Sequence, residues 1–166
     1  MKKRNFLLAL LFLMIALTPL CAVSCKKQRT FENGTLYLND NFVTDDHIYI
    51  SSDGVAKLSI VDVFESLGVG IEYESDNLIR VTYDEKEFYL NIAEKALYRE
   101  GDSRNWILIP PGSKVFSAEV IDGKLIVESA GIRATLQVDF GIFVRFNVDE
   151  ENLKVTMIIE EKSLEK

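Results

Sequence analysis

From Gly34 onward the chain reads as short apolar runs that alternate with polar residues at a period of two. That is the pattern of strands with one buried face. Strands are predicted at 35–38 and 47–50, with Phe42 and Val43 resuming pairing after the turn cluster Asn39, Asp40 and Asn41. The period then changes: Ile60, Val63, Phe64 and Leu67 lie at i, i+3, i+4 and i+7, one apolar face of a helix. Ser59 with Asp62 three places on forms a capping box with Asp in place of Glu. Gly68 stands where a left-handed C-terminal cap belongs. A hairpin follows over 70–83 with its turn at 75–77, and then a strand over 87–92. Strands at 96–99 and 106–109 bracket a polar loop, and Pro110, Pro111 and Gly112 end the second, because proline cannot donate to a ladder. Asp122-Gly123 marks a two-residue hairpin turn within 115–127.

A second block starting at Asp122 resembles 53–83. Gly54 to Gly68 and Gly123 to Gln137 have the same spacing, with Leu67 matched by Leu136 and Val69 by Val138. On that analogy 129–137 is a helix. The local pattern points elsewhere: Ile132, Ala134, Leu136, Val138 and Phe140 alternate with Arg133, Thr135, Gln137 and Asp139. Gly131 is also poor inside a helix. Strand is therefore favoured for 132–140. The fold class expected is α+β, mostly antiparallel β: two degenerate strand–helix–hairpin repeats, or a second half that runs as a β-meander.

The first 24 residues stand apart. Lys2, Lys3 and Arg4 precede an apolar run from Phe6 to Leu17, and the small residues Ala22 and Ser24 lie before Cys25. This is the layout of a bacterial export signal. Thr18-Pro19 cuts the run short of the roughly 20 residues that a membrane span needs. Ala22-Val23-Ser24-Cys25 resembles a lipobox, with Ala22 where leucine is usual, which makes Cys25 the residue to carry lipid. The rival is ordinary cleavage near Ala22, leaving Cys25 a free thiol, a liability in an oxidising compartment. The organisation expected is a signal over 1–24, a polar tether over 25–33 and one domain over 34–166. The chain carries a formal charge of −7, and losing the leader's three cations takes the remainder to −10. Nucleic acid is thereby disfavoured as a partner, since phosphate is held by clusters of Lys and Arg.

The order Asp53-Gly54, then Leu58-Ser59-Ile60, a helix ending in Leu67-Gly68-Val69, Ile71-Glu72-Tyr73 and a turn into Ile79-Arg80-Val81-Thr82 resembles the copper amine oxidase N-terminal-like domain. Where that family commonly has Val-Pro-Leu-Arg, this chain has Leu58, Ser59, Ile60 and Val61. The resemblance implies an exported bacterial module of tandem strand–helix–hairpin repeats, non-catalytic, at the surface or in the envelope.

Chemistry-bearing constellations are sparse. Past the leader there is one histidine, His47, and one methionine, Met157, whereas copper and zinc sites draw on several nitrogen or sulfur ligands. No metal and no cofactor is expected. His47 lies beside Asp45 and Asp46 and reads as a surface or strand-start residue. The acidic runs Asp45-Asp46, Asp84-Glu85, Asp149-Glu150-Glu151 and Glu160-Glu161 fall in turns or the tail, where acids face water. Paired carboxylates can hydrolyse glycosides, and converging ones can bind calcium. Tyr98 and Trp106 flank the polar loop, with Pro110 and Pro111 beyond, and these four form the candidate recognition surface. The competing reading makes Trp106 the largest core residue.

These features set the functional expectation: a non-enzymatic, membrane-tethered envelope lipoprotein with an interaction or structural domain. Its partners would be the membrane, through an N-terminal lipid, and an envelope protein or cell-wall component. It would sit at the outer face of the cytoplasmic membrane or in the periplasm or outer membrane. The alternatives are an envelope glycan hydrolase using paired carboxylates and a periplasmic carrier of a small ligand.

Overall fold

A computed structural model describes residues 29–99 and 118–160. Among these the order is β1 (Phe31–Asn33), β2 (Thr35–Leu38), β3 (Asn41–Thr44), β4 (Ile48–Ser51), β5 (Ala56–Ser59), α1 (Ile60–Ser66), β6 (Gly70–Ser75), β7 (Leu78–Tyr83), β8 (Lys86–Asn91) and β9 (Ala96–Arg99). After the gap come β10 (Ala118–Ile121), β11 (Lys124–Glu128), α2 (Ser129–Thr135), a π-helical turn (Leu136–Phe140), β12 (Val144–Asp149) and β13 (Lys154–Ile159). The fold is α+β and mostly antiparallel.

Three sheets result. The central one has the order β1-β4-β5-β11-β10, and the two flanking ones are β12-β13-β2-β3 and β6-β7-β8-β9. One continuous core joins them. Leu36, Val155 and Met157 come from one flanking sheet, and Ile79, Val81, Phe88 and Leu90 from the other. Ile48, Ile50, Leu58 and Val127 come from the central sheet, and Phe64, Ile132 and Leu136 from the helices.

The internal repeat is real in three dimensions. β5-α1-β6-β7 and β11-α2-β12-β13 are two copies of one strand–helix–hairpin unit. Gly54 and Gly123, which open them, both have positive φ (75° and 78°). These two glycines stand 69 positions apart, and so do Leu58 and Val127, which face each other in the antiparallel β5–β11 pair. A pseudo-two-fold axis therefore passes through that pair. Glu128, the counterpart of Ser59, pairs with Lys57 across it.

α1 forms as its sequence predicts. Ser59 Oγ accepts the Asp62 backbone N–H at 3.4 Å, and Gly68 takes φ 76° just past the end. Ile60, Val63 and Phe64 are fully buried and Leu67 partly so. The second copy corrects the strand reading of 132–140. Gly131, Ile132, Thr135, Leu136, Asp139 and Phe140 are buried while Val138 is 76% exposed, which is a helical repeat. Its closing glycine is Gly141 at φ 70°, eighteen places after Gly123, where Gly68 is fourteen after Gly54. The four extra residues lengthen the helix and are taken up in the π-helical turn.

The tether ends earlier than the sequence suggests. Phe31–Asn33 pairs with β4, and Arg29 Nε already meets Asp53 Oδ2 at 2.7 Å. A three-residue edge strand is too short to show a periodic signal. β2 pairs in parallel with β13, so the chain's first long strand completes the sheet of its last hairpin. Leu153, at φ 50°, aims its carbonyl at the Thr35 N–H, 2.9 Å away. A Cβ at Gly34 would lie 2.7 Å from that oxygen, so this joint needs glycine.

Candidate functional site

Tyr98, from the sequence-based surface, lies on β9 with its side chain on the outward face of its sheet. It is half-buried and stacked on Tyr89 of β8, centroids 5.8 Å apart and planes 23° apart. Strand register sets a row across this face: Glu72, Arg80, Tyr89 and Tyr98, one residue from each of four strands. Arg80 meets Glu72 at 2.5 Å and Glu74 at 3.5 Å, and the Tyr89 hydroxyl donates to Glu87 at 2.7 Å. Cys25, Trp106, Pro110 and Pro111 lie outside the described residues.

The other flanking sheet carries a matching arrangement that the sequence reading missed. Its outward row is Asn147, Thr156, Tyr37 and Phe42. Phe42 sets its ring edge-on to Tyr37, centroids 5.9 Å apart, and stays 59% exposed. Lys154 Nζ sits 4.1 Å from the centre of the Tyr37 ring, within cation–π range, and 3.7 Å from Asp40 Oδ1. In both flanking sheets, then, the third and fourth strands present an aromatic pair; the second strand lays Lys154 over Tyr37 in one, and in the other places Arg80 in register with Tyr89 while its guanidinium meets Glu72 and Glu74. Only Phe42's place beside a turn could have marked it, and a lone aromatic there carries little signal.

A polar network crosses the repeat junction. Lys124 Nζ meets Asp46 at 3.0 Å and Asp62 at 3.3 Å. Burial pulls the Lys124 ammonium down, but Asp46 and Asp62 outweigh it and hold it above its ordinary range. The hydrogen bond from Lys124 holds the Asp46 carboxyl below its usual range. His47 stands next in the chain of contacts, 3.4 Å from Asp46 and 3.4 Å from the Tyr49 hydroxyl. These groups satisfy one another, tying the β3–β4 loop and α1 to the β10–β11 hairpin.

Two of the acidic runs form turns. Asp84 and Glu85 both have positive φ and make the β7–β8 turn, and they line an open recess of about 740 Å³ with Gly68, Gly70, Thr82 and Tyr83. Asp149 accepts from Asn152 at 2.8 Å in the β12–β13 turn, and that bond holds its carboxyl low. Among the described residues no three His, Cys, Asp or Glu side chains are placed to hold one metal ion. No described helix is long and apolar enough to cross a membrane.

One acid differs. Asp139, in the π-helical turn, is 6% exposed, and its Oδ2 has no hydrogen-bond partner among the described residues. Burial pushes its carboxyl up to about 6, against the opposing pull of Arg99 and Lys86. Thr135 Oγ1, one turn earlier, is likewise buried and without a partner among the described residues. The sequence offered no signal for either, because a strand over 132–140 puts both on the wet face.

No family model, curated protein or solved structure matches the chain.

Proposed function

We propose that this chain is a non-catalytic interaction domain of the bacterial cell envelope, held at a membrane by lipid on Cys25, as the copper amine oxidase N-terminal-like resemblance also suggests. The observation that carries the reading is the aromatic pair on the outward face of each flanking sheet, Tyr37–Phe42 with Lys154 over it and Tyr89–Tyr98 in the row of Arg80. Aromatic side chains with a polar or charged neighbour are the residues on which recognition surfaces concentrate their energy. Holding them on sheets rather than loops fixes their spacing in advance of binding. The partner would be an envelope protein or a cell-wall component.

The test pairs location with binding. Cys25→Ser in the full chain is expected to abolish incorporation of labelled palmitate and release the protein from membranes. Phe42→Ala and Tyr98→Ala, singly and together, are expected to weaken co-sedimentation with purified wall fragments or cross-linking to envelope proteins. Binding at wild-type strength in the double variant, with its fold intact by circular dichroism, overturns the assignment of these faces.

A further inference from the structure

The two repeat copies differ most at the end of their helices, and that difference places an acid in the core. The first copy closes with Leu67 and Gly68. The second runs on through Leu136–Phe140 before Gly141, and the added turn carries Asp139 and Phe140. Phe140 reaches into the first copy and the strand that follows it. Its ring lies 5.1 Å from Phe64 of α1, 5.8 Å from Tyr83 of β7 and 4.7 Å from Phe88 of β8. The π-helical turn is thus the element by which one copy plugs the other, and the residue before Phe140 is a buried carboxyl with one oxygen unpartnered among the described residues.

A buried carboxylate without a donor is costly, whereas a neutral carboxyl costs far less. Turns of π-helix are also uncommon and concentrate at functional positions. We propose that Asp139 and its turn form a proton-responsive latch: protonated Asp139 seats Phe140 between the two copies, and ionised Asp139 loosens that seat.

The charged groups around the latch fit this assignment. Among the described residues the cations whose field reaches Asp139 are Lys86, at the start of β8, and Arg99, at the end of β9. Arg99 lies over the Phe88 ring, 5.3 Å from its centre. β7 contributes Tyr83 and α1 contributes Phe64, both against Phe140. The elements against which α2 packs also carry Lys57, Lys124, Glu128, Arg145 and Asp149. α2 itself carries Arg133. The two cations favour the ionised form, and burial outweighs them. An acid raised in the fold holds its proton more tightly folded than open. Its stabilising contribution is complete below the ordinary value of 3.8 and is lost as pH rises through about 6.

The experiment is hydrogen exchange of the full-length chain at pH 5 and pH 7.5, corrected for intrinsic exchange, read at the amides of 136–142. The opening constant is expected to rise about tenfold between the two conditions, and Asp139→Asn is expected to remove that rise. An equal rise in the Asn variant overturns the proposal. Carboxyl-detected titration of the wild-type chain gives an answer even where the variant does not fold. A midpoint for Asp139 near 6 supports the latch, and one below about 4.5 sinks it.

Discussion

At the scale of single residues, two phenylalanines separate what holds the molecule from what it presents. Among the described residues Phe140 is 4% exposed and touches three other rings, while Phe42 is 59% exposed and touches one. Removing a buried aromatic loses both its transfer energy and its packing, so Phe140→Ala is expected to cost about 3–5 kcal/mol. Phe42→Ala is expected to stay within about 0.5 kcal/mol of wild type, as surface changes usually do. Urea melts of the two variants check this. Equal costs would mean either that Phe42 is packed or that Phe140 is not. Asp139 belongs on the same scale, a carboxyl buried next to Phe140 in the same turn.

At the scale of elements, turn chemistry decides more than composition suggests. Asn39-Asp40, Asp84-Glu85 and Asp122-Gly123 each put both central residues at positive φ, the geometry of a type I′ hairpin. Asn, Asp and Gly tolerate that region, whereas Glu85 at φ 62° is held there against its preference. Glu85→Gly is therefore expected to stabilise the chain by about 0.5–1 kcal/mol. A thermal melt that shows destabilisation instead would show that the Glu85 side chain contributes contacts of its own. The turns and α1 were legible because each has local chemistry: Asp-Gly at a hairpin, serine at a cap, glycine past a helix end. α2 was not. Its N-cap position holds Glu128 where α1 has Ser59, and Val138 mimics a strand's apolar alternation from a position facing water. The burial of Thr135 and Asp139 follows from tertiary packing, which no local pattern encodes. Tyr98 was singled out because an aromatic borders a polar loop. Its partner Tyr89 and the Tyr37–Phe42 pair emerge only once strand register brings them side by side.

At the scale of the whole molecule, the two copies are completed by each other and by the strands outside them. β5 has β11 as its partner, and Phe64 has Phe140. β2 lies between β3 and β13, so the N-terminal strands depend on the last hairpin for one of their two ladders. Leu36, fully buried, faces Val155 across that parallel pairing. A chain stopped after Arg99 would keep β6–β9 intact. It would lose β11 from the central sheet, β13 from beside β2 and the Phe140 plug from the core. An isolated small sheet with an uncovered apolar face buries too little surface to offset its chain entropy. The truncated chain is therefore expected to show no cooperative melt. The full chain should unfold in one transition, coincident by far-ultraviolet dichroism and tyrosine fluorescence. A sigmoidal melt of the truncated chain, or two separated transitions in the full one, would show that the repeats fold independently. The pseudo-two-fold pairing of Leu58 with Val127 would then join two finished units. The opposite expectation follows from the register of β5 on β11 and of β2 on β13: each copy is a half whose interior exists only in the presence of the other.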